Sequence, residues 1–276
     1  MRIAAIVVAY NSANDLPESL GCLTALPLER IVVADNSSVD GSAEVAKRYT
    51  PHVLVLPNVG FGAAINAAVA TAPDAEAYFL LNPDCSLSGT DFAALVDALV
   101  DEPGLGAVAP LMRYPAGGYG VSSGPEPSMA KEWLAALRVD YLVPHWLKSF
   151  LARSALLRSR VPMLGYLAVE PTPQTRSVAW VSGFCMLVRR EAFRAVGGFD
   201  PDFFLYYEDV DICRRMREHG WQVASVGASV ADHKESTSTA VVGKRRLYRS
   251  GMTVYFSKHG TRRQRLLARA LGRLPV

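Results

Sequence analysis

IAAIVVAYNSANDLPESLGCLTALPLERIVVA, residues 3–34, reads as one strand–helix–strand unit. Ile3–Ala9 is an unbroken run of Ile, Val and Ala, the pattern of a strand buried on both faces. Asn14 and Asp15 cap a helix over roughly Leu16–Leu26, with Pro17 in the first turn, where its missing N–H is not needed. Arg30–Ala34 is the second strand. The alternation continues with a helix over Gly41–Arg48, a strand over Val53–Leu56, a helix from about Gly62 to Ala70, a strand over Tyr78–Leu81 and a helix over Asp91–Val100. This pattern predicts an α/β fold with a mostly parallel central sheet flanked by helices. Ligands of such sheets sit at the carboxyl ends of the strands. The segments that follow the strands are Ala9-Tyr10-Asn11, Asp35-Asn36-Ser37, Asn58–Gly62 and Asn82-Pro83-Asp84, all polar or glycine-bearing, and one crevice is expected to collect them.

Beyond residue 110 the pattern changes. Tyr114–Pro127 is rich in Gly, Pro and Ser and reads as a loop. Lys131–Arg160 is amphipathic, with Trp133, Tyr141, Trp146 and Phe150 among six basic residues, and Pro162–Pro173 ends it. Val178–Val188 returns to strand-like sequence, Gln222–Val226 is a further strand with His233 beyond it, and the tail from about Ser238 is helical and basic. The expected organisation is one domain over residues 1–235, with an amphipathic insertion at about 128–165, and a basic helical extension over 236–276.

Composition narrows the class. With 276 residues, half of them hydrophobic and 20% charged, the chain buries a sizeable core. No run of 18 apolar residues exists, so no spanning helix is expected. The N-terminus continues into patterned sequence and reads as a strand, not a signal peptide. Cys22, Cys85, Cys185 and Cys213 are scattered, which fits a reducing cytoplasm better than a disulfide framework. Net charge is only +3, yet Lys244 onward holds ten Lys or Arg and no acid, leaving 19 basic and 26 acidic residues for the rest. A basic tail on an acidic body suggests an anionic surface as partner, nucleic acid or phospholipid.

Two polar clusters carry the chemistry. In GGFDPDFFLYYEDVDICRR, residues 197–215, aromatic residues press toward Glu208, Asp209 and Asp211 at the start of an amphipathic helix running to about His219. Carboxylates there are stabilised as anions by unpaired N–H groups. One held beside apolar walls serves as a general base. The plainer reading is a capped surface helix with solvated acids. The second cluster, Asn82-Pro83-Asp84, is either a strand-end Asx turn braced by proline or an oxygen-rich site for a hard cation. His233 either completes such a site or is an ordinary hydrogen-bonded histidine. Gly60-Phe61-Gly62 follows the third strand, not the first, and Ile65 stands where the last glycine belongs, so a dinucleotide fingerprint is rejected. These glycines still permit close backbone approach, with the following helix offering its N-terminus to an anion. Asp35 either caps a helix or accepts the imide N–H of uracil or thymine.

The ordered set VVAYNSANDLPESL, VVADNSSVDGS, PNVGFGAAINAA, FLLNPDC, WVSGFCMLVRREAF and GGFDPDFFLYYEDVDICRRM resembles the inverting family 2 glycosyltransferases, and within them the rhamnosyltransferase-like branch. The resemblance covers about residues 1–110 and 176–259. It implies the GT-A fold, with a helical portion on the membrane and acceptor side. It also implies a donor pocket of Ala9, Asn11, Asp35, Asn58, Gly60, Asn66, Asn82, Trp180 and Gly183. Asp209 is then the catalytic base with Glu208 beside it, and Asp84 with His233 holds Mg2+ or Mn2+. Asn82 occupies the first position of the family's D-x-D motif, leaving Asp84 as its only carboxylate.

The expected activity is inverting transfer of a sugar, rhamnose first, from a pyrimidine-diphosphate donor to a hydroxyl of a lipid-linked or cell-envelope glycan. The alternatives are a UDP-hexose or UDP-N-acetylhexosamine donor, or a non-catalytic nucleotide-sugar-binding scaffold. A scaffold needs neither Asp84 nor Asp209. The expected location is the inner face of the cell membrane, bound peripherally through anionic lipid, with homo-oligomers open and nucleic acid excluded because no recognition motif appears.

Overall fold

The computed structural model describes residues 1–136, 172–234 and 241–274. Its centre is a ten-stranded sheet. β1 (Ile3–Ala9), β2 (Arg30–Asp35), β3 (Val53–Val55) and β4 (Ala77–Leu81) run parallel in the order β3-β2-β1-β4. Between them lie α1 (Leu16–Thr24), α2 (Ser42–Ala46) and α3 (Phe61–Ala70). β1 shows why its sequence is apolar throughout. Ile3, Ala5, Val7 and Ala9 face one core with Leu16, Leu20 and Leu23 of α1, whereas Ala4, Ile6 and Val8 face a second core with Ala64, Ile65 and Ala68 of α3. Each of these leucines is fully buried, a burial that contributes about 1.5–3 kcal/mol per side chain.

The second half of the sheet is mixed, where a mostly parallel one was expected. It comprises β5 (Cys85–Leu87), α4 (Gly89–Asp101), β6 (Leu105–Arg113), β7 (Tyr119–Gly120), β9 (Thr175–Ser177), β11 (Cys185–Arg189) and β12 (Gln222–His233). β8 (Ser123–Gly124) and β10 (Trp180–Val181) form a separate antiparallel pair. β11 lies antiparallel between β4 and β6, and β12 pairs parallel with β6 but antiparallel with β5. β6 was not among the strands expected from the sequence, and it carries Gly106 and Pro110, residues unfavourable in a strand interior. Pro110 is tolerated because its partner strand leaves the ladder beside it: the register jumps between Val226 and Val230. Asp91 of α4 braces this bulge, accepting from Val230 N–H at 2.8 Å while its own carbonyl accepts from the Ser229 hydroxyl at 2.9 Å.

The bulge also lengthens β12 past the expected end at Val226. The strand therefore reaches His233, which sits opposite Cys85. Chain that looked like a loop thus delivers His233 to the Asn82–Asp84 turn.

The basic tail is packed on the domain. α8 (Val241–His259) and α9 (Arg262–Gly272) share a third core with α5 (Met129–Ala136) and with the start of α7 (Glu208–Glu218). Phe203, Tyr207, Val210, Met252, Tyr255, Phe256 and Leu271 build it. α6 (Arg190–Ala195) covers the second core through Phe193. Of the expected amphipathic insertion, only α5 is within the described residues; the stretch from 137 onward lies outside them. No helix among the described residues is long and apolar enough to cross a membrane.

Candidate active site

A cavity of about 430 Å3 opens at the carboxyl end of β4 and the amino end of α7. Asn82, Trp180, Gly183, Glu208, Asp209 and His233 line it, so six of the residues singled out in the sequence converge there. The other expected residues form two further groups, one beside the cavity and one along the strand ends.

Asp84 adjoins the cavity through His233, whose Nε2 lies 3.3 Å from Asp84 Oδ2. The Asn82–Asp84 turn is clamped on both sides: Asn82 N–H donates to the Phe184 carbonyl at 2.8 Å and Lys234 N–H donates to the Asp84 carbonyl at 3.0 Å. The His233 ring stacks on Phe184 with centroids 5.4 Å apart. Asn82 Oδ1 and His233 Nδ1 are buried without a hydrogen-bond partner. The thiol of Cys85 completes a set of ligand-capable atoms, with Asp84 and His233, that lie within 4.8 Å of one another.

The strand ends β1–β3 carry a polar network that the sequence showed only in part. Ala9 C=O accepts from Asn36 N–H at 2.8 Å. The Asn36 amide then donates to Asn58 Oδ1 at 3.1 Å and accepts from Val59 N–H at 3.0 Å. Asn36 is the hub here, and its place directly after β2 was the signal that could have found it. Asn11, in a left-handed conformation at φ 51°, accepts from Val39 N–H at 2.9 Å. Asp35 accepts from Ser38 N–H at 3.3 Å, and its buried Oδ1 has no partner.

Two of the residues expected in the donor pocket make contacts with the 197–204 loop. Asn66 spends both amide atoms on the Phe199 backbone, at 2.7 and 2.9 Å, and so pins the 197–204 loop to α3. Gly60 serves that loop as well. At φ 88° it lies so close to Phe204 that an added Cβ would stand 2.5 Å from the Phe204 carbonyl oxygen. That oxygen also accepts from Phe61 N–H at 2.9 Å, so the start of α3 meets protein where an anion was expected.

The same loop is gripped from its other side. Tyr206 and Tyr207 are both left-handed, at φ 70° and 72°, a strained pair costing about 1–3 kcal/mol each. α8 holds them there. A Cβ at Gly251 would lie 2.1 Å from the Tyr206 carbonyl oxygen, and Tyr207 packs between the rings of Tyr248 and Tyr255. Asp211 is fully buried and points away from the cavity. It takes Arg215 at 2.7 Å and His259 of α8 at 2.7 Å, so the third acid of the cluster fastens the tail to α7. Gly251→Ala is therefore expected to destabilise the fold by about 1–3 kcal/mol and to reduce turnover. Thermal unfolding and turnover check it together, and wild-type values for both would show that the loop yields freely.

The strain aims two neighbouring carboxyls differently. Glu208, 4% exposed, leaves Oε2 without a partner. Burial pushes its carboxyl well above the ordinary glutamate value, and the charge of Asp209 adds to the rise. Burial raises Asp209 too, but the N–H groups of Gly183 (3.1 Å) and Val210 (2.8 Å) and the Ser182 hydroxyl counter it. Of the two, Glu208 therefore holds its proton more strongly than Asp209. A buried acid with a raised folded value lends stability that is fully present below its unfolded value and lost as pH rises through the folded one. Glu208→Gln keeps the neutral form at every pH. Its denaturation midpoint should gain on wild type as pH rises above the ordinary glutamate value, and a pH-independent difference would contradict the assignment.

The family model for glycosyl transferase family 2 matches residues 4–197. An N-acetylglucosaminyl-diphospho-decaprenol L-rhamnosyltransferase of Mycobacterium tuberculosis is 34% identical over 251 residues, 85% of this chain and 76% of that protein. Among solved structures, GalNAc-T7 with UDP, GalNAc and Mn2+ aligns over 98% of this chain with a TM-score of 0.59 and 13% identity. This chain spans about half of that one, 54%. A mannosyltransferase of Pyrobaculum calidifontis in complex with GDP-Man and Mn2+ also has a TM-score of 0.59, at 17% identity, over 98% of this chain and 69% of that one. The shared architecture is the GT-A fold.

Proposed function

The chain belongs to glycosyl transferase family 2, and from that premise we propose that it is an inverting rhamnosyltransferase, moving rhamnose from dTDP-rhamnose to a hydroxyl of a polyprenyl-diphosphate-linked N-acetylglucosamine. The observation that carries this reading is the carboxyl of Asp209, held by the N–H groups of Gly183 and Val210 in the same cavity as Asn82 and His233. Asp209 takes the proton of the acceptor hydroxyl while that oxygen forms its bond to the anomeric carbon. The bond from that carbon to the diphosphate oxygen breaks with its electron pair, and attack from the opposite face inverts the centre. No protein nucleophile takes part.

The donor set suits a divalent cation: one carboxylate, one imidazole nitrogen and a buried amide oxygen with no other partner. Asp84, His233 and Asn82 would hold it, and such an ion neutralises the leaving diphosphate. The nitrogen ligand favours Mn2+ over Mg2+. The relatives solved with Mn2+ support this reading. Asp35, with a buried acceptor unfilled at the end of β2, fits the imide N–H that thymine and uracil share. The mycobacterial relative favours rhamnose and a lipid-linked N-acetylglucosamine, and with them work at the cytoplasmic membrane face. Incubating the protein and Mn2+ with dTDP-rhamnose, UDP-glucose or UDP-N-acetylglucosamine, each with detergent-solubilised polyprenyl-diphosphate N-acetylglucosamine, tests it. Product from dTDP-rhamnose supports the proposal, and product from a UDP-sugar alone replaces the donor.

A further inference from the structure

We infer that the outer face of α9 is a docking surface for an anionic lipid bilayer; this rests on the lipid-linked acceptor proposed above and adds the surface that brings the enzyme to it. α9 reads RRQRLLARALG and begins with a complete capping box, in which Thr261 accepts from Gln264 N–H and the Gln264 side chain accepts from Thr261 N–H. Ala268 and Leu271 face inward and are buried in the third core. At 3.6 residues per turn, Leu266, Ala270 and Arg273 then lie on the opposite side, flanked by Arg262, Arg263 and Arg269.

That side combines two features seldom found together on a solvated helix. Leu266 is 59% exposed and Leu267 44%, with Leu274 exposed just past the end of the helix. Arg262, Arg263, Arg269 and Arg273 surround them and are themselves exposed. From Lys244 onward the chain carries ten basic residues and no acid. Lys258, in the last turn of α8, by contrast spends its charge inward, on Asp200 and Asp202 at 2.6 Å. Apolar side chains ringed by long cationic ones match the boundary between acyl chains and anionic headgroups, where leucine enters and arginine reaches back to phosphate. A nucleic acid would use the arginines and leave the leucines unburied.

The placement suits the chemistry. α9 packs against α5 and α8. Those two helices supply Lys131 and Tyr248 to the wall of the catalytic cavity. A bilayer under α9 would therefore lie beside the wall through which a lipid-linked sugar has to enter.

The test uses the full chain with vesicles of phosphatidylglycerol and phosphatidylcholine in equal parts, against phosphatidylcholine alone, in a flotation assay. Wild type should float with the anionic vesicles and lose most of this binding as salt rises. Each basic residue near such a surface is worth roughly fivefold in partition. Arg262→Ser with Arg263→Ser and Arg269→Ser should then weaken flotation by about 100-fold, and Leu266→Ser with Leu267→Ser by about tenfold. Both sets lie outside the cavity, so transfer to detergent-solubilised acceptor should stay at the wild-type rate. Wild type that transfers sugar but does not float overturns the docking surface and leaves the function standing; floating without any transfer overturns the function alone. Flotation unchanged in both variants moves the contact elsewhere. Binding of RNA in place of vesicles, or a dimer in sedimentation that the leucine substitutions dissolve, assigns the face to another partner and overturns the proposal.

Discussion

Asp209→Asn should lower kcat by about 10²–10⁴-fold while leaving folding and donor affinity intact. Gly183 N–H and Val210 N–H donate to different oxygens of Asp209, so the amide keeps one of these two hydrogen bonds and cannot take a proton; thermal unfolding of the variant checks that the loop survives. Its neighbour is predicted to behave otherwise. Burial makes Glu208 hold its proton more strongly than Asp209, so Glu208→Gln should retain most of the activity. A loss from Glu208→Gln as deep as that from Asp209→Asn would return Glu208 to the chemistry. The pH dependence follows from the same argument. Transfer needs Asp209 ionised, and burial raises its carboxyl above the ordinary aspartate value, so the acid limb of kcat/KM should fall at higher pH than for a solvated aspartate.

Asp84→Ala should have the second largest effect. It removes the one carboxylate of the Asn82–Asp84 turn and leaves His233 with no charged partner at the cation position. Losing even an outer partner of a metal ligand costs about 10–100-fold in affinity, so losing the ligand itself should cost about 100-fold or more. Calorimetric titration of the donor nucleotide with Mn2+ and with EDTA reads this directly. Wild type should bind more tightly with Mn2+, and Asp84→Ala should bind equally in both. Equal wild-type binding with and without the ion would remove the cation from the account. His233→Ala should cut the Mn2+ effect less, because water and diphosphate oxygens replace a neutral ligand more readily than a charged one.

The first half of the fold was legible because parallel strands buried on two faces are apolar without a break, as in β1 and β4. Asp35, Asn82 and Asp84 stood out because each lies at the end of such a run, and Asp209 because it opens a helix behind a cluster of aromatic residues. What the chain hid was held by contacts distant in sequence. β6 was hidden by Pro110, whose missing N–H is excused only by a bulge in β12. The reach of His233 depended on that same bulge and on Asp91, more than 130 residues upstream. The family resemblance placed Asn66 and Gly60 in the donor pocket, yet both serve the loop that carries Phe199 and Phe204. Nothing local distinguishes a glycine that admits a phosphate from one that admits a carbonyl. The tail was read from its charge as a basic helical extension with an anionic surface as partner. Its aromatic residues, Tyr248, Tyr255 and Phe256, were the overlooked signal that it closes a core against Tyr207 and buries Asp211.

The central claim is that Asp209 acts as a base in a single displacement, with no covalent intermediate on the protein. The anomeric configuration of the transferred sugar, read by NMR on the product, tests this most directly. The account predicts the configuration opposite to that of the donor. Product with the donor's configuration retained would contradict it.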